Sequence, residues 1–152
     1  MTPQQTEFWH RFQAATGETS EEPFDIDQFG DSEAMGDDLL ALVLAGTKRA
    51  TCALARWYDE RTHRAPRPGD LSIITDGRGL PRCVIRTTSV EIKPITEADA
   101  RFAWDEGEGD RSFEWWLSEH LKFWQREADR EGFAFSTDMD AVFERFELVW
   151  AE

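Results

Sequence analysis

The sequence predicts an α+β fold in which a small, partly open antiparallel β-barrel is flanked by helices. Helical periodicity occurs within the first 46 residues and again at residues 112–131, whereas residues 51–93 carry short β-rich runs bounded by turn signals. A last β-rich run closes the chain at residues 142–150. Helices first, then antiparallel strands, then a helical insertion and a final strand are typical of an α+β domain, and 152 residues fit one domain.

The N-terminal part is predicted to hold two helices separated by an acidic segment. Pro3, preceded by a capping threonine, marks the start of the first helix, which runs to Gly17. A second helix begins near Ser32 and stops at Gly46, a residue type common after helix ends. Residues 18–38 contain nine acids and no base, so we expect the first part of this segment to be a solvated loop.

The remaining chain is predicted to form strands around two more helices. Four runs are interpreted as antiparallel strands: residues 55–58, 71–75, 81–92 and 142–150. The run TEAD at residues 96–99 fits a capping box that opens a short helix, and the glycines of EGEG end it. A long helix is predicted from about Ser112 to Glu131, with Trp116 and His120 on its apolar face.

Composition excludes several classes of protein. Hydrophobic residues make up 40% of the chain and aromatic residues 12%, which is typical of a globular protein and not of an acidic disordered tail. No apolar run approaches the roughly 18 residues that span a bilayer, and the N-terminus lacks a secretory signal, so we expect a cytoplasmic protein without a membrane segment. Cys52 and Cys83 form no CxxC pair, and with only three histidines we expect buried thiols, no disulfide, no metal site and no cofactor.

The charge distribution constrains the partners. The net charge of -14 argues against binding of a long DNA duplex, because phosphate contacts need cationic surface. Residues 48–93, however, carry ten Lys and Arg against five acids, between two strongly acidic flanks. A basic middle inside an acidic shell suits a confined anionic or polar ligand. The alternative is that these arginines alternate along exposed strand faces and bind nothing.

A short motif and three others in the same order carry a resemblance to a known family. The run GTKRAT at residues 46–51 follows an acidic GDS and a leucine-rich helix, and it resembles the Gly-x-Lys motif of the ASCH domain family. The runs PGD at 68–70, DEGEGDRSFEWW at 105–116 and VFERFE at 142–147 are similar to the bacterial branch of small stand-alone ASCH proteins.

The resemblance covers about residues 29–150 and implies a PUA-like β-barrel with a cleft beside the Gly-x-Lys motif. It also implies a link to RNA metabolism. On this basis residues 1–152 are a single ASCH domain, in which residues 1–28 form an extension made of the N-terminal helix and the acidic loop.

The resemblance also implies three catalytic candidates. Some ASCH proteins are similar to small amidohydrolases that remove the acyl group of N4-acetylcytidine nucleosides, with a Lys, a Thr three positions later and a Glu beyond the second half of the barrel. Lys48 and Thr51 match the first two, and Glu106 is the match for the third. The inserted GEGD run makes Glu108 a rival of Glu106.

The chemistry of these side chains leaves two assignments open. Thr51 can be a nucleophile or an orienting hydroxyl, Lys48 a base or a stabiliser of negative charge, and Glu106 a proton carrier, with no metal required. Desolvation lowers the pKa of a lysine, whereas a neighbouring carboxylate raises it. Next to an ionised Glu106, Lys48 stays protonated and stabilises an oxyanion, which leaves Glu106 as the base.

Six further residues are candidates for substrate binding: Arg49, Trp57, Tyr58, Glu108, Ser112 and His120. Trp57 and Tyr58 can stack on a base or belong to the core. Ser112 is first of all a helix N-cap, and His120 is either a hydrogen-bonded core histidine or a residue that lines the cleft.

Three functions follow as hypotheses. The first is a metal-independent hydrolase that acts on a modified cytidine or a similar nucleoside amide. The second is an RNA-binding or RNA-cleaving domain that holds short single-stranded RNA in a basic channel near Arg56, Arg82 and Arg86. The third is a non-catalytic module that senses a ligand in the same cleft.

Overall fold

Four helices and five strands make up the chain in this computed structural model, which describes all residues from Met1 to Glu152. In chain order they are α1 (Pro3–Thr16), β1 (Asp25–Asp27), α2 (Glu33–Leu44), β2 (Ala50–Leu54), β3 (Leu71–Thr75), β4 (Pro81–Pro94), α3 (Ala100–Glu106), α4 (Phe113–Glu131) and β5 (Asp140–Ala151). Short 3₁₀ turns lie at Ala55–Trp57 and Ile95–Glu97.

The strands form one curled sheet in the order β1-β3-β4-β5-β2. All neighbouring strands are antiparallel except β1 and β3, which pair in parallel over three residues. The long strands β4 and β5 pair along almost their whole length, and the register shifts between Val84 and Ile85 and between Thr87 and Ser89. Bulges of this kind bend a strand, and here they curl the sheet into a half-barrel. The predicted α+β fold with a partly open barrel is confirmed.

Three apolar clusters attach the helices to the sheet. α1 packs on β3 and β4 through Phe8, Trp9, Phe12, Ile73 and Val84. α2 covers the opposite face, where the buried residues are Phe29, Leu40, Val43, Ile74, Cys83, Ile85 and Phe146. α3 and α4 pack on β2 and β5, chiefly through Ala50, Leu54, Phe102, Trp116, Trp124 and Phe143. The open side between α2 and α4 is therefore the place where a cleft can form.

The starts of α1, α2 and α4 and the end of α1 are found where the capping residues placed them, whereas α2 ends at Leu44, two residues before the predicted Gly46. Thr2 closes a capping box with Gln5 at the start of α1, and Gly17 ends that helix in the left-handed conformation. The Ser32 side chain accepts a hydrogen bond from the Met35 N–H at the start of α2. None of the four helices is both long enough and apolar enough to cross a membrane.

Three local predictions were wrong. Residues 25–27 were expected in a loop, but their backbone pairs with the edge of β3, a short parallel contact that no alternation pattern reveals. Residues 55–57 form a 3₁₀ turn, because the strand that pairs with β5 ends at Leu54. The short helix is capped by Asp99, whose carboxylate accepts from the Phe102 N–H at 2.8 Å, and not by Thr96.

Candidate active site

A cleft of about 330 Å³ opens between α2, α4 and the segment that leads into β2. Its walls include the apolar side chains of Phe29, Met35, Leu39, Leu42, Trp115 and Phe123. Its polar lining consists of Asp38, Lys48, Thr51, Glu106, Glu108, Glu119, His120 and Arg126. The three catalytic candidates Lys48, Thr51 and Glu106 thus face one hollow, together with Glu108 and His120.

The chain turn after α2 places Lys48 in the cleft. Gly46 adopts a positive φ of 77°, a conformation that glycine reaches without steric cost. The N–H groups of Thr47 and Lys48 then both donate to the Leu42 carbonyl, at 3.0 and 3.1 Å. This turn directs the Lys48 side chain inward, where only 1% of it is exposed.

The Lys48 ammonium is fully hydrogen-bonded at the base of the cleft. It donates to the Ala50 carbonyl at 2.8 Å, to Glu106 Oε1 at 3.3 Å and to Glu108 Oε2 at 3.1 Å. Burial lowers the pKa of Lys48, but the two carboxylates outweigh this effect and hold the pKa above its usual value. Lys48 is therefore a buried cation and not a neutral base.

Glu106 is held at the end of α3 by a close contact between two backbones. Gly107, with a φ of 71°, follows it, and a Cβ at Gly107 would lie 2.3 Å from the Thr47 carbonyl oxygen. Only glycine allows this approach, which brings the end of α3 against the residue before Lys48.

The Glu106 carboxylate has a donor on each oxygen. Oε1 accepts from Lys48, whereas Oε2 accepts from the Trp116 indole N–H and lies 2.9 Å from His120 Nε2. Burial alone raises the pKa of Glu106, but His120, Lys48 and these hydrogen bonds reverse the effect and lower the pKa to about 2. Glu106 is therefore a fixed anion.

His120 completes the group as an imidazolium. Its Nδ1 lies 2.8 Å from the Trp116 carbonyl oxygen, which can only accept, so Nδ1 carries a proton. Its Nε2 faces the ionised Glu106, so a proton on Nε2 is favoured as well. Burial lowers the pKa of His120, but Glu106 and Glu108 more than offset this and raise it. The ring stacks on Trp116 with centroids 4.2 Å apart, a geometry that also favours a cation.

Glu108 differs from Glu106 in the direction of its pKa shift. Burial and the neighbouring Glu106 raise the pKa of Glu108, although Lys48 and His120 lower it in part. Its side chain is 15% exposed, so it can exchange protons with the cleft. Two carboxylates with pKa values pushed apart are a common basis for acid and base assignments in enzymes.

Thr51 offers a free hydroxyl. It is the second residue of β2 and lines the cleft, and its hydroxyl forms no hydrogen bond with the protein and is not sealed from solvent. The neighbouring Cys52 is a thiol, because burial raises its pKa far above the ordinary value.

Metal binding was not expected, and the site contains one group that could provide ligands. Ligand atoms of Glu106, Glu108 and His120 lie within 4.8 Å of one another. The Lys48 ammonium already bonds to both carboxylates, so a divalent ion would have to compete with a buried cation. The donor set fits an ammonium group better than a metal.

Four of the predicted binding residues lie outside the cleft lining. Arg49 pairs with Asp105 at 3.4 Å, and Ser112 caps α4 by accepting from the Trp115 N–H. The Trp57 indole donates to Glu127 at 3.2 Å. The Tyr58 ring stacks on His63 with centroids 5.4 Å apart.

The arginines named for a basic channel also have partners. Arg82 pairs with Asp76 at 3.5 Å, and Arg86 pairs with Glu147 at 3.0 Å. The Arg56 guanidinium lies 3.6 Å from the centroid of the Phe133 ring. Much of the basic middle of the sequence is thus neutralised within the fold.

Sequence reasoning missed the apolar wall and the rim of the cleft. On α4, Trp115, Glu119, Phe123 and Arg126 line it, at positions i, i+4, i+8 and i+11. This spacing marks a second stripe beside the one that carries Trp116 and His120, and it was the available signal. Arg126 also pairs with Asp31 at 3.1 Å, a contact between distant parts of the chain that no local pattern indicates.

Comparisons with known proteins identify the family and the fold. A family model described as ASCH domain matches residues 25–150. The ASCH domain from Lactobacillus crispatus JV V101 is similar in structure, with 32% identity, a TM-score of 0.85 and coverage of 97% of this chain and 95% of that one. Protein EF3133 from Enterococcus faecalis V583 shows 34% identity, a TM-score of 0.88 and coverage of 100% and 96%. No curated protein sequence matches the chain.

Proposed function

The chain belongs to the ASCH domain family, and we propose that it hydrolyses the N4-acyl amide of a modified cytidine in the cleft between α2 and α4. The observation that carries this proposal is a buried, protonated Lys48 bonded to two carboxylates beside the free hydroxyl of Thr51. A fixed positive charge at the base of a partly apolar cleft is suited to stabilise a developing oxyanion.

The two carboxylates take different roles in this mechanism. Glu106 is locked by Lys48, Trp116 and His120, so it holds the two cations in place and does not transfer a proton. Glu108, with its raised pKa and partial exposure, is the proton carrier. The geometry therefore favours Glu108, the rival residue, as the working acid and base.

The reaction proceeds in two proton transfers. Glu108 in its ionised form accepts a proton from water as the water oxygen bonds to the acyl carbon, and Lys48 stabilises the oxyanion. Glu108 then gives this proton to N4 of the cytosine ring as the C–N bond breaks. The products are the carboxylic acid and the unmodified cytidine, and Thr51 donates a hydrogen bond that orients the amide.

The shape of the cleft supports a small aromatic ligand. A volume of about 330 Å³ is at the lower end of the range for small-molecule sites. Phe29, Trp115 and Phe123 offer ring faces on which a base can stack. Asp38 and Glu119 contribute negative charge to the lining, which disfavours a phosphate group and favours the nucleoside over a longer RNA. We place this activity in the cytoplasm, where free thiols such as Cys52 and Cys83 are usual.

The test is incubation with N4-acetylcytidine and chromatographic measurement of released cytidine, in buffer with a metal chelator. We expect turnover by the native protein and a loss of about 100-fold or more in Lys48→Met, because the oxyanion loses its stabilising charge. Glu108→Gln should lose a similar factor, and Thr51→Val a smaller one. The controls Arg49→Met and Glu114→Gln remove a positive and a negative charge outside the cleft and should retain activity.

Two results would contradict the proposal. The first is no cytidine release from the native protein. The second is cytidine release at the same rate by Lys48→Met and by Arg49→Met. A native protein whose melting temperature rises with N4-acetylcytidine but that releases no cytidine would instead be a ligand sensor.

A further inference from the structure

A partly buried ion pair fastens the end of α3 to the sheet. Arg145 on β5 donates through Nε to Asp105 Oδ2 at 3.0 Å, and Asp105 directly precedes Glu106 on α3. The two side chains are 27% and 19% exposed, so solvent screens this pair less than it screens an exposed one. Neither residue lines the cleft. The pair therefore holds the neighbour of a cleft residue and does not itself reach the ligand.

The sheet fixes the backbone position of Arg145. Strand β5 lies between β4 and β2, and Arg145 stands opposite Ala50 on β2 and Ser89 on β4. A residue of an interior strand is held by hydrogen-bonded neighbours on both sides. In contrast, α3 has only seven residues, too few for a helix that is stable without tertiary contacts. Arg145 is thus a rigid anchor for a helix that needs one.

Arg145 holds α3 at two points. Besides its bond to Asp105, its guanidinium lies 5.1 Å from the centroid of the Phe102 ring. Phe102 and Asp105 are three residues apart on α3, so they lie on the same side of the helix. Two contacts on one side of a helix resist its rotation about the helix axis.

The rotation of α3 determines where Glu106 points. Successive residues of an α-helix are about 100° apart around its axis, so the orientation of Asp105 sets that of Glu106. Glu106 Oε1 lies 3.3 Å from Lys48 Nζ, and Glu106 Oε2 lies 2.9 Å from His120 Nε2. A displacement of about 1 Å would take both contacts out of the hydrogen-bonding range.

Arg49 makes a weaker side-chain contact with the same carboxylate. Its Nη2 lies 3.4 Å from Asp105 Oδ1, and its side chain is 53% exposed. An exposed pair at this distance contributes little. The backbone N–H of Arg49 donates to the Asp105 carbonyl at 2.8 Å, and this bond is kept whatever side chain stands at position 49. Arg49→Met is therefore a matched control for Arg145→Met.

We propose that Arg145 is a positioning residue, which acts through Asp105 to hold Glu106 between Lys48 and His120. The inference rests on the proposed function, in which Glu106 keeps these two cations in place. Without Arg145, α3 can turn about its axis, and Glu106 then moves away from both cations.

Titration of the His120 ring protons by nuclear magnetic resonance tests the position of Glu106 without any substrate. Glu106 raises the pKa of His120 in the native protein, so we expect a lower midpoint in Arg145→Met. The loss of the Arg145 charge would by itself raise this midpoint, so a decrease reports the displacement of Glu106. Arg49→Met should titrate as the native protein does, and His120→Gln assigns the signal.

Hydrolysis of N4-acetylcytidine gives a second measurement. Arg145→Met should lower kcat by about 10- to 100-fold, because the charges that act on the amide are misplaced. KM should change by no more than about twofold, since the walls of the cleft on α2 and α4 are unaltered. Arg145→Lys, which keeps the charge and a donor for Asp105, should recover part of kcat, and Arg49→Met should retain it.

The inference is overturned if Arg145→Met is folded in thermal melts and its His120 midpoint is not below that of the native protein. It is also overturned if Arg49→Met lowers the midpoint equally. A native protein that releases no cytidine would contradict the proposed function alone, because the His120 titration needs no turnover.

A second pair of variants applies if Arg145→Met does not fold. Asp105→Asn is then compared with Glu91→Gln, which removes the other carboxylate near Arg145, at 3.9 Å. A larger decrease of the His120 midpoint in Asp105→Asn supports the inference, and equal decreases overturn it.

Discussion

Glu106 in the cleft and the half-buried Glu144, which lies on β5 opposite Thr51, are both carboxylates withdrawn from water, but only Glu106 has cations beside it. In the cleft, Glu106 contacts Lys48 and His120, and its pKa is lowered to about 2. Glu144 instead accepts one hydrogen bond, from the Thr87 hydroxyl, and its pKa is raised to about 7. Burial acts in the same direction on both, so the difference comes from the neighbouring charges. Two cations thus accompany Glu106, whereas Glu144 lacks a counter-charge.

The two carboxylates therefore affect stability in opposite pH ranges. The folded-state pKa of Glu106 is below the ordinary 4.5, so its contribution is present above pH 4.5 and is lost as the pH falls towards 2. The folded-state pKa of Glu144 is above 4.5, so its contribution is present below pH 4.5 and is lost as the pH rises through 7.

The largest effect is expected from removing the cation of the cleft. Lys48→Met leaves Glu106 and Glu108 buried without their shared partner, which should lower the free energy of unfolding by about 3–5 kcal/mol. Urea denaturation at pH 7 measures this loss. Arg49→Met, the control, removes an exposed ion pair and should cost no more than about 1 kcal/mol. Equal losses of unfolding free energy in the two variants would contradict the claim that the buried Lys48 stabilises the fold more than a surface cation does.

A smaller effect should follow from removing one donor to Glu106. Trp116→Phe deletes the indole N–H and should cost about 1–3 kcal/mol more than Trp124→Phe, which shortens an equally buried ring that makes no indole hydrogen bond. The difference in unfolding free energy between these two variants isolates the hydrogen bond from the lost volume. No difference would mean that Trp116 only fills space.

The opposite sign is expected for Glu144. Glu144→Gln keeps the shape but removes an acid that resists ionisation, so it should stabilise the protein by about 2 kcal/mol at pH 8. The gain should disappear near pH 4, where Glu144 is protonated in the folded state as well. Thermal melts at the two pH values measure this gain. A lower stability of Glu144→Gln than of the native protein at pH 8 would contradict the claim that Glu144 lacks a counter-charge.

The smallest effect is expected at a surface ion pair of the basic segment. Arg86 and Glu147 lie on the exposed side of neighbouring strands, and Arg86→Ala should change the unfolding free energy by less than about 1 kcal/mol. It should also leave the affinity for short single-stranded RNA unchanged. A steep, salt-dependent loss of RNA binding in this variant would instead support the hypothesis of a basic RNA-binding channel.

Sequence alone predicted most helices and strands because caps, turns and periodicity are local signals. The order of the motifs also predicted that Lys48, Thr51 and Glu106 lie in one cleft. It did not predict the roles of Glu106 and Glu108, because these depend on His120 and Trp116, which approach only through the packing of α4 against α3. The surroundings of Glu144 were missed for a similar reason, since Glu144 meets Thr51 and Thr87 only through the register of neighbouring strands.

The most direct test of the contrast between the two carboxylates is a titration of the glutamate carboxyl carbons by nuclear magnetic resonance. Glu106 and Glu144 are assigned by comparing the native protein with Glu106→Gln and Glu144→Gln. We predict that Glu106 stays ionised to a midpoint of about 2 and that Glu144 titrates with a midpoint of about 7. Midpoints for both residues near the ordinary 4.5 would contradict the account.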